Sequence, residues 1–280
     1  MPATAAVVLA GGRSSRMGEP KAGVAWHGST LLRRVVGLVG RGVDGPVVVV
    51  RARGQDLPPL PSSVEVVEDG AQARGPLEGM ATGLAVLQDR AAHAFVCSTD
   101  LPLLHPAFVR AVARAGADVD VALPVVDGHR QPLAACYRTS LAGRARELLA
   151  QDRARPAFLL EGADVRVLGE PELLADTALA EADPQLRSVT GVNTPEELRA
   201  LRALPAPEVL VQRFGVLASG GEHGGRTVRA ATLAAATQAV GLVLDRHLLA
   251  AVNGDQTVRD GELPLAEGDV VAFLSADAGG

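Results

Sequence analysis

The chain has 280 residues, 48% of them hydrophobic and only 2% aromatic, and carries a net charge of −5. That length allows two domains and a core built mostly from Val, Leu and Ala, and the acidic balance argues against non-specific nucleic-acid binding. Two cysteines, Cys97 and Cys136, are too few for a disulfide scaffold and sit in apolar runs, where they read as small buried hydrophobes of a reduced compartment. The N-terminus has no basic leader, and no apolar run reaches ~18 residues, so the expectation is a soluble, cytoplasmic protein without a membrane span.

The first predicted strand, Ala5–Leu9, runs into Leu9-Ala-Gly-Gly-Arg-Ser-Ser-Arg-Met-Gly-Glu-Pro-Lys21. Gly11 and Gly12 break the strand. Such a turn lets backbone N–H groups form a concave nest for phosphate oxygens, and Arg13, Arg16 and Lys21 bring positive charge to it. The stretch lacks the spacing of a Rossmann dinucleotide turn and of a P-loop. Lys21 is the only lysine beside 26 arginines. A position that keeps Lys under such a bias needs a compact ammonium, not a planar fork, and a point charge on a phosphoryl oxygen meets that need.

Further strands are expected at 46–50, 64–67, 94–97, 119–125, 133–137 and 165–168, with helices at 30–39, 77–88, 106–115, 140–151 and 195–204. This alternation predicts an α/β fold with a mostly parallel sheet covered on both faces, and ligands at the carboxyl ends of its strands. The polar motifs fall there. Glu68-Asp69 ends one strand, and Gly75-Pro76-Leu77-Glu78-Gly79-Met80 opens the next helix. Phe95-Val-Cys-Ser-Thr-Asp100-Leu-Pro102 ends another strand in a carboxylate, a natural Mg²⁺ ligand beside nucleotide phosphates. Arg130-Gln-Pro-Leu precedes the strand ending at Tyr137. Val192-Asn193-Thr-Pro-Glu-Glu197 offers Thr194 as a helix cap with Glu197 as its capping-box partner. His27, His93 and His105 read as surface or turn residues, and Trp26 as core or edge packing.

The opening stretch resembles the nucleotidyltransferase signature LAGGxSxRMGxxK, and its details are similar to the molybdenum cofactor guanylyltransferase family. Asp69, the GPL turn, Thr99-Asp100-Leu101-Pro102 and Asn193-Thr-Pro-Glu-Glu-Leu198 match the same family. The resemblance implies a Rossmann-like domain over residues 1–204 that joins GMP from GTP to molybdenum-bound molybdopterin and releases pyrophosphate. It implies Arg16, Lys21 and Asp100 as catalytic residues, and Leu9, Ala10, Gly11, Gly12, Lys21, Asp69, Gly75, Pro76, Leu77 and Asp100 as the nucleotide site. Mg²⁺ would sit on Asp100. Arg130 and Asn193, with His129 beside them, would face the pterin. Glu78 departs from the family's Ala, and Arg53 stands where the family tends to have a nucleotide-contacting Asn. A cytidylyltransferase or sugar-phosphate nucleotidyltransferase is the alternative within the class.

Leu204-Pro-Ala-Pro207 is a stiff linker. Beyond it, strands at 208–214 and 226–229, a helix at 233–240 capped by Thr232, and strands at 248–252 and 270–274 follow in ββαββ order. With Ala251-Val-Asn-Gly254, Leu265-Ala-Glu-Gly-Asp-Val-Val-Ala-Phe273 and Gly279-Gly280, residues 208–280 resemble the ubiquitin-like β-grasp of the molybdopterin synthase small subunit and thiamine sulfur carriers. Residues 275–278 depart from that family's proline-bearing stretch. The resemblance implies adenylation and thiocarboxylation of Gly280, with an adenylating activating enzyme and a molybdopterin synthase large subunit as partners. From Pro207 onward there are nine acids and five arginines, which suits docking on basic surfaces. A sulfur carrier whose nucleotide domain only docks is the alternative from another class.

Overall fold

β1 (Thr4–Leu9) is buried from Ala5 to Leu9, as a strand in the middle of a two-sided sheet has to be. The computed structural model describes residues 3–11, 20–70, 75–218, 225–256 and 259–276; Gly12, Arg13, Arg16, Gly279 and Gly280 lie outside them. After β1 come β2 (Ala25–Trp26), β3 (Ser29–Thr30), α1 (Leu31–Gly40), β4 (Val47–Arg51), β5 (Val64–Glu68), α2 (Pro76–Leu87) and β6 (His93–Ser98). Then follow α3 (Pro106–Ala115), β7 (Val121–Val126), β8 (His129–Arg130), β9 (Ala134–Arg138), α4 (Leu141–Ala150), β10 (Val165–Leu168), α5 (Glu170–Leu174), α6 (Thr177–Ala182) and α7 (Pro195–Arg202). The chain ends in β11 (Glu208–Arg213), β12 (Arg226–Arg229), α8 (Leu233–Ala239), β13 (Leu248–Val252), β14 (Asp255–Gln256) and β15 (Val270–Ser275). Contacts divide it into two compact units, Met1–Val24 with Leu31–Leu198, and Ala25–Thr30 with Arg199–Gly280. Among the described residues no helix is long and apolar enough to cross a membrane.

The first unit is an α/β layer structure. Its sheet has the order β10–β7–β9–β6–β1–β4–β5, with β8 paired to β7. β1, β4, β5 and β6 are parallel, as are β7 and β10. β9 runs antiparallel to both β6 and β7. Only residues 127–133 separate β7 from β9, too few for the crossover a parallel return requires. Alternation along β1 sends Ala6 and Val8 into one core with α1 and α3, and Ala5, Val7 and Leu9 into another with α2 and α4. Cys97 and Cys136 are fully buried in the first of these cores; burial raises both thiols, that of Cys136 to about 12, so they pack as hydrophobes.

Register decides what meets at the carboxyl edge. Leu9 pairs with both Val50 and Ser98, and Val50 pairs with Val67. The loops leaving β1, β4, β5 and β6 therefore start at one level. The strand order reverses at β1, with β4 on one side and β6 on the other, which is where α/β sheets open a crevice. At the opposite edge His93 corrects the sequence expectation. It is 5% exposed at the start of β6, with Nε2 3.1 Å from the Val119 carbonyl, and burial lowers its pKa. A histidine directly before an apolar run looks like a loop residue until the loop between α3 and β7 brings the Val119 carbonyl to its ring.

The second unit has a mixed sheet, β12–β11–β15–β13–β14, in which β11 and β15 are parallel and the other pairs antiparallel. α8 closes one face over Val209, Val211, Leu248, Ala250, Val271 and Phe273. Thr232 Oγ1 caps α8 by accepting from the Ala235 N–H at 3.3 Å. Asn253 and Gly254 take φ of +54° and +92° in the turn from β13 to β14, as a two-residue hairpin requires. Asn253 Nδ2 donates to Asp269 Oδ1 at 2.9 Å and its Oδ1 accepts from the Val270 N–H at 2.8 Å. Asp269 Oδ2 accepts from the Ala266 N–H at 2.7 Å. The short hairpin β2–β3, which the sequence pattern did not announce, belongs to this unit and buries Trp26.

Candidate functional site

The end of β1 is tied down on both sides. The N–H groups of Ala10 and Gly11 both point at the Val50 carbonyl, at 2.8 and 3.3 Å. The Leu9 carbonyl accepts from the Thr99 hydroxyl at 2.8 Å and from its N–H at 3.2 Å. Gln55, which sequence reading passed over, bridges the loops: its Nε2 donates to the Ala10 carbonyl and its Oε1 accepts from the Ala52 N–H, both at 3.0 Å. A Cβ on Gly11 would come within 3.1 Å of the Ala52 nitrogen and 3.5 Å of Asp69 Oδ2, so glycine is needed where the loops converge. The first two N–H groups after β1 are thus engaged in the sheet; Gly12 and Arg16 lie outside the described residues.

Lys21 opens a 3-10 turn, Lys21–Gly23, anchored by the buried side chains of Ala22 and Val24. Its Nζ lies 2.8 Å from Asp100 Oδ2 and 3.0 Å from Asn193 Oδ1. Three residues separated by 79 and 172 positions in the chain meet at one ammonium. Asp100 stands two residues past β6, and its other oxygen, Oδ1, accepts from the Ser98 hydroxyl. Its carbonyl accepts from the Val192 N–H at 2.9 Å, which brings the turn before α7 onto the same loop. That turn is the expected capping box: Glu197 Oε2 accepts from the Asn193 and Thr194 N–H groups at 2.6 and 3.1 Å, and Thr194 Oγ1 accepts from the Glu197 N–H at 3.2 Å. Asn193 is left exposed with its amide on Lys21. From the other side, the buried Arg34 of α1 donates from Nε to the Pro102 carbonyl at 2.5 Å, holding the far end of the Asp100 loop. Neither Ser98 nor Arg34 stood out in the sequence, since a serine in a strand and an arginine in an amphipathic helix are ordinary.

Asp69 lies beside the cradle at the end of β5, its N–H donating to the Arg51 carbonyl at 2.9 Å. Its Oδ1 is buried and has no hydrogen-bond partner among the described residues. Burial raises its pKa, partly offset by the Arg53 N–H and reinforced by the charge of Glu68. A buried acceptor without a donor calls for one from elsewhere, such as an N–H group of a ligand. Arg53 is exposed, while Arg51 pairs with Glu68 at 2.9 Å. Gly75 has a φ of +92° and Pro76 is the first residue of α2, so the GPL turn is a rigid helix start. Leu9 and Leu77 turn their side chains into the core, leaving only their backbones to serve a ligand.

Arg130 and His129 form β8, both exposed, with His129 Nδ1 2.6 Å from the Asp127 carbonyl. β8 pairs antiparallel with the carboxyl end of β7, Val125 opposite Arg130 and Val126 opposite His129. The structure brings Lys21, Asp100 and Asn193 into direct hydrogen-bond contact, while Arg130 stands on β8 at the same edge of the sheet.

The Lys21–Asp100 pair is partly sheltered, with side chains 21% and 20% exposed, so its charges are less screened than those of a surface pair. The donor set there is a carboxylate oxygen and an amide oxygen, hard ligands of the kind Mg²⁺ takes when phosphates complete its shell. No group of three or more His, Cys, Asp or Glu able to cage a metal occurs among the described residues. The arrangement offers positioned charge and hydrogen-bond donors at a sheet edge, and its central residue is a cation, not a nucleophile.

Residues 6–167 match the model of the MobA-like NTP transferase domain. A Mycobacterium ulcerans (strain Agy99) protein described as a probable molybdenum cofactor guanylyltransferase is 40% identical over 167 residues, 58% of this chain and 81% of that protein. One of the same description from Mycobacterium avium (strain 104) is 35% identical over 202 residues, 70% of this chain and 94% of that protein. Among solved structures, molybdopterin-guanine dinucleotide biosynthesis protein A from Archaeoglobus fulgidus shares the fold, with a TM-score of 0.57 at 22% identity over 71% of this chain and 97% of that one.

Proposed function

The chain belongs to the MobA-like NTP transferase family and is a nucleotidyltransferase, and on that premise we propose that it transfers GMP from GTP to the phosphate of molybdenum-bound molybdopterin, with pyrophosphate leaving. The observation that carries this reading is the convergence of Lys21, Asp100 and Asn193 at the carboxyl edge of the sheet. The attacking group is an oxygen of the substrate phosphate, so no Ser, Cys or His nucleophile is required. Catalysis is then positioning and charge neutralisation. Lys21 meets negative charge that grows on the α-phosphoryl oxygens and the leaving pyrophosphate, a role it shares with Arg16. Asn193 aims the Lys21 ammonium, and Arg130 binds the pterin side from β8. Asp69, Gly11, Gly12 and the Gly75–Leu77 turn hold the nucleoside and triphosphate. Mg²⁺ on Asp100 supplies Lewis-acid polarisation of the phosphate oxygens when it is bound with GTP.

The test is incubation of the purified chain with molybdenum-molybdopterin, Mg²⁺ and each nucleoside triphosphate separately, following pyrophosphate and the dinucleotide product. Release with GTP alone is expected. Release with CTP in place of GTP would move the protein to the cytidylyl branch, and no release with any triphosphate would reject the reading.

For residues 208–280 we propose a β-grasp sulfur-carrier domain, joined by the 204–207 linker to a nucleotidyltransferase domain of residues 1–204. The support is the strand order β12–β11–β15–β13–β14 with parallel central strands and one helix. In this reading the Gly280 carboxylate is adenylated by an activating enzyme, converted to a thiocarboxylate, and used with a molybdopterin synthase large subunit. Intact-mass analysis after incubation with such an enzyme, ATP and a sulfur donor checks it: replacement of one oxygen by sulfur is expected, and its absence rejects the carrier role.

A further inference from the structure

We propose that Lys21 is the cation Asp100 carries before substrate arrives, so that metal and nucleotide load together. This rests on the reading of Asp100 as the metal ligand. Asp100 has two carboxylate oxygens, and each already accepts from a side-chain donor. Ser98 donates its hydroxyl to Oδ1, which fixes the rotation of the carboxylate and turns Oδ2 towards Lys21. The ammonium sits 2.8 Å from that Oδ2. A divalent cation on the same atom would lie at ~2.1 Å from it, within a few ångströms of the ammonium. Like charges that close repel strongly in a partly sheltered site, so the two cations exclude each other.

The backbones on either side are not the parts that yield. Val24 N–H bonds the Lys21 carbonyl at 3.2 Å, and Val192 N–H bonds the Asp100 carbonyl at 2.9 Å. The Lys21 side chain is the part that yields, a flexible four-carbon stem with a rotatable ammonium. Phosphate oxygens give that ammonium stronger, charge-assisted partners. Once it swings to them, Oδ2 is released to the metal. Binding of each ligand then favours the other, and linkage makes that coupling reciprocal. A free divalent cation, with no phosphate to draw the lysine away, gains little from the site.

Mn²⁺ binding to the full nucleotide-free chain, read from the electron paramagnetic resonance signal of unbound Mn²⁺, tests this. Lys21→Met should bind Mn²⁺ about ten- to thirtyfold more tightly than wild type, although the same change abolishes transfer. Lys21→Gln should do likewise, covering the case in which the Met variant folds poorly. Lys21→Arg, which keeps the charge, should stay as weak as wild type. Adding Asp100→Asn to Lys21→Met should return binding to the wild-type level or below. Equal Mn²⁺ affinity in wild type, Lys21→Met and Lys21→Gln, with Asp100→Asn still weakening it, would overturn the exclusion and leave the metal reading intact. If Asp100→Asn changes nothing in the Lys21→Met background, the metal is not on Asp100 and both fall.

Discussion

The two asparagines of this chain, Asn193 and Asn253, sit in constellations built from similar parts and set to opposite uses. In the second unit Asn253 and Asp269 bond each other, and the Val270 and Ala266 N–H groups take an oxygen of each. Asp269 is 3% exposed. Its partners are an amide and a backbone group that cannot leave, so the pair clamps the β13–β14 hairpin to β15. In the first unit Asn193 and Asp100 share an ammonium on a mobile stem. The side-chain oxygens that meet there, Asp100 Oδ2 and Asn193 Oδ1, are joined by that ammonium, while backbone bonds at the Asp100 carbonyl and in the capping box hold the loops that present them. A polar cluster serves the fold when its partners are backbone groups, and serves a ligand when its partners can change.

Substitutions at the two clusters sharpen that contrast, and the largest effect belongs to the lysine. Lys21→Ala should lower kcat/KM for nucleotidyl transfer by about a hundred- to thousandfold, the ~3–4 kcal/mol typical of a lost transition-state contact, with an unchanged circular dichroism spectrum. Lys21→Arg should be nearly as poor. Near-normal kcat/KM in the Arg variant would remove the argument from the lone lysine. Next comes the pair of asparagines. Asn253→Ala should cost about 2 kcal/mol of stability, by leaving buried Asp269 short of a donor, and should speed hydrogen exchange in β13 and β15 while transfer continues. Asn193→Ala should do the reverse, slowing transfer about tenfold with the same Tm. If both variants lose activity and stability alike, the distinction fails.

The smallest effect is at Asp69. Its native pKa is raised by burial, so its contribution to stability falls as pH rises through that pKa. Asp69→Asn removes the cost of burying the charge. A gain in Tm at pH 7 is therefore expected, one that disappears in acid where the wild-type carboxyl is protonated too, together with weaker GTP binding. A Tm loss at pH 7 would mean that the carboxylate is paid for by a partner outside the described residues.

Much of this was legible in the sequence because its signals are local. β12, β13, α3 and β10 lie where the pattern put them, and the capping box at Thr194 and Glu197 was readable from a spacing of three. Asp69, Asp100 and the Gly75 turn could be set at strand and helix ends, because periodicity stops there. The sequence reading set no direction for β9, although the short 127–133 connection encodes it. His93 was misread, because the Val119 carbonyl that meets its ring comes from a loop 26 positions away in the chain.

By itself, then, the sequence determined the elements, their caps, and the edge of the sheet at which the polar residues gather, since each depends on neighbours within a few positions. The tertiary structure alone decided which of those residues touch. Register aligned Leu9 with Val50 and Ser98, and that alignment carried Lys21, Asp100 and Asn193 to one point across 172 residues of chain. It also recruited Ser98, Gln55 and Arg34. Pairings of this kind are fixed by core packing on both faces of the sheet, and packing has no signature in any single stretch of sequence.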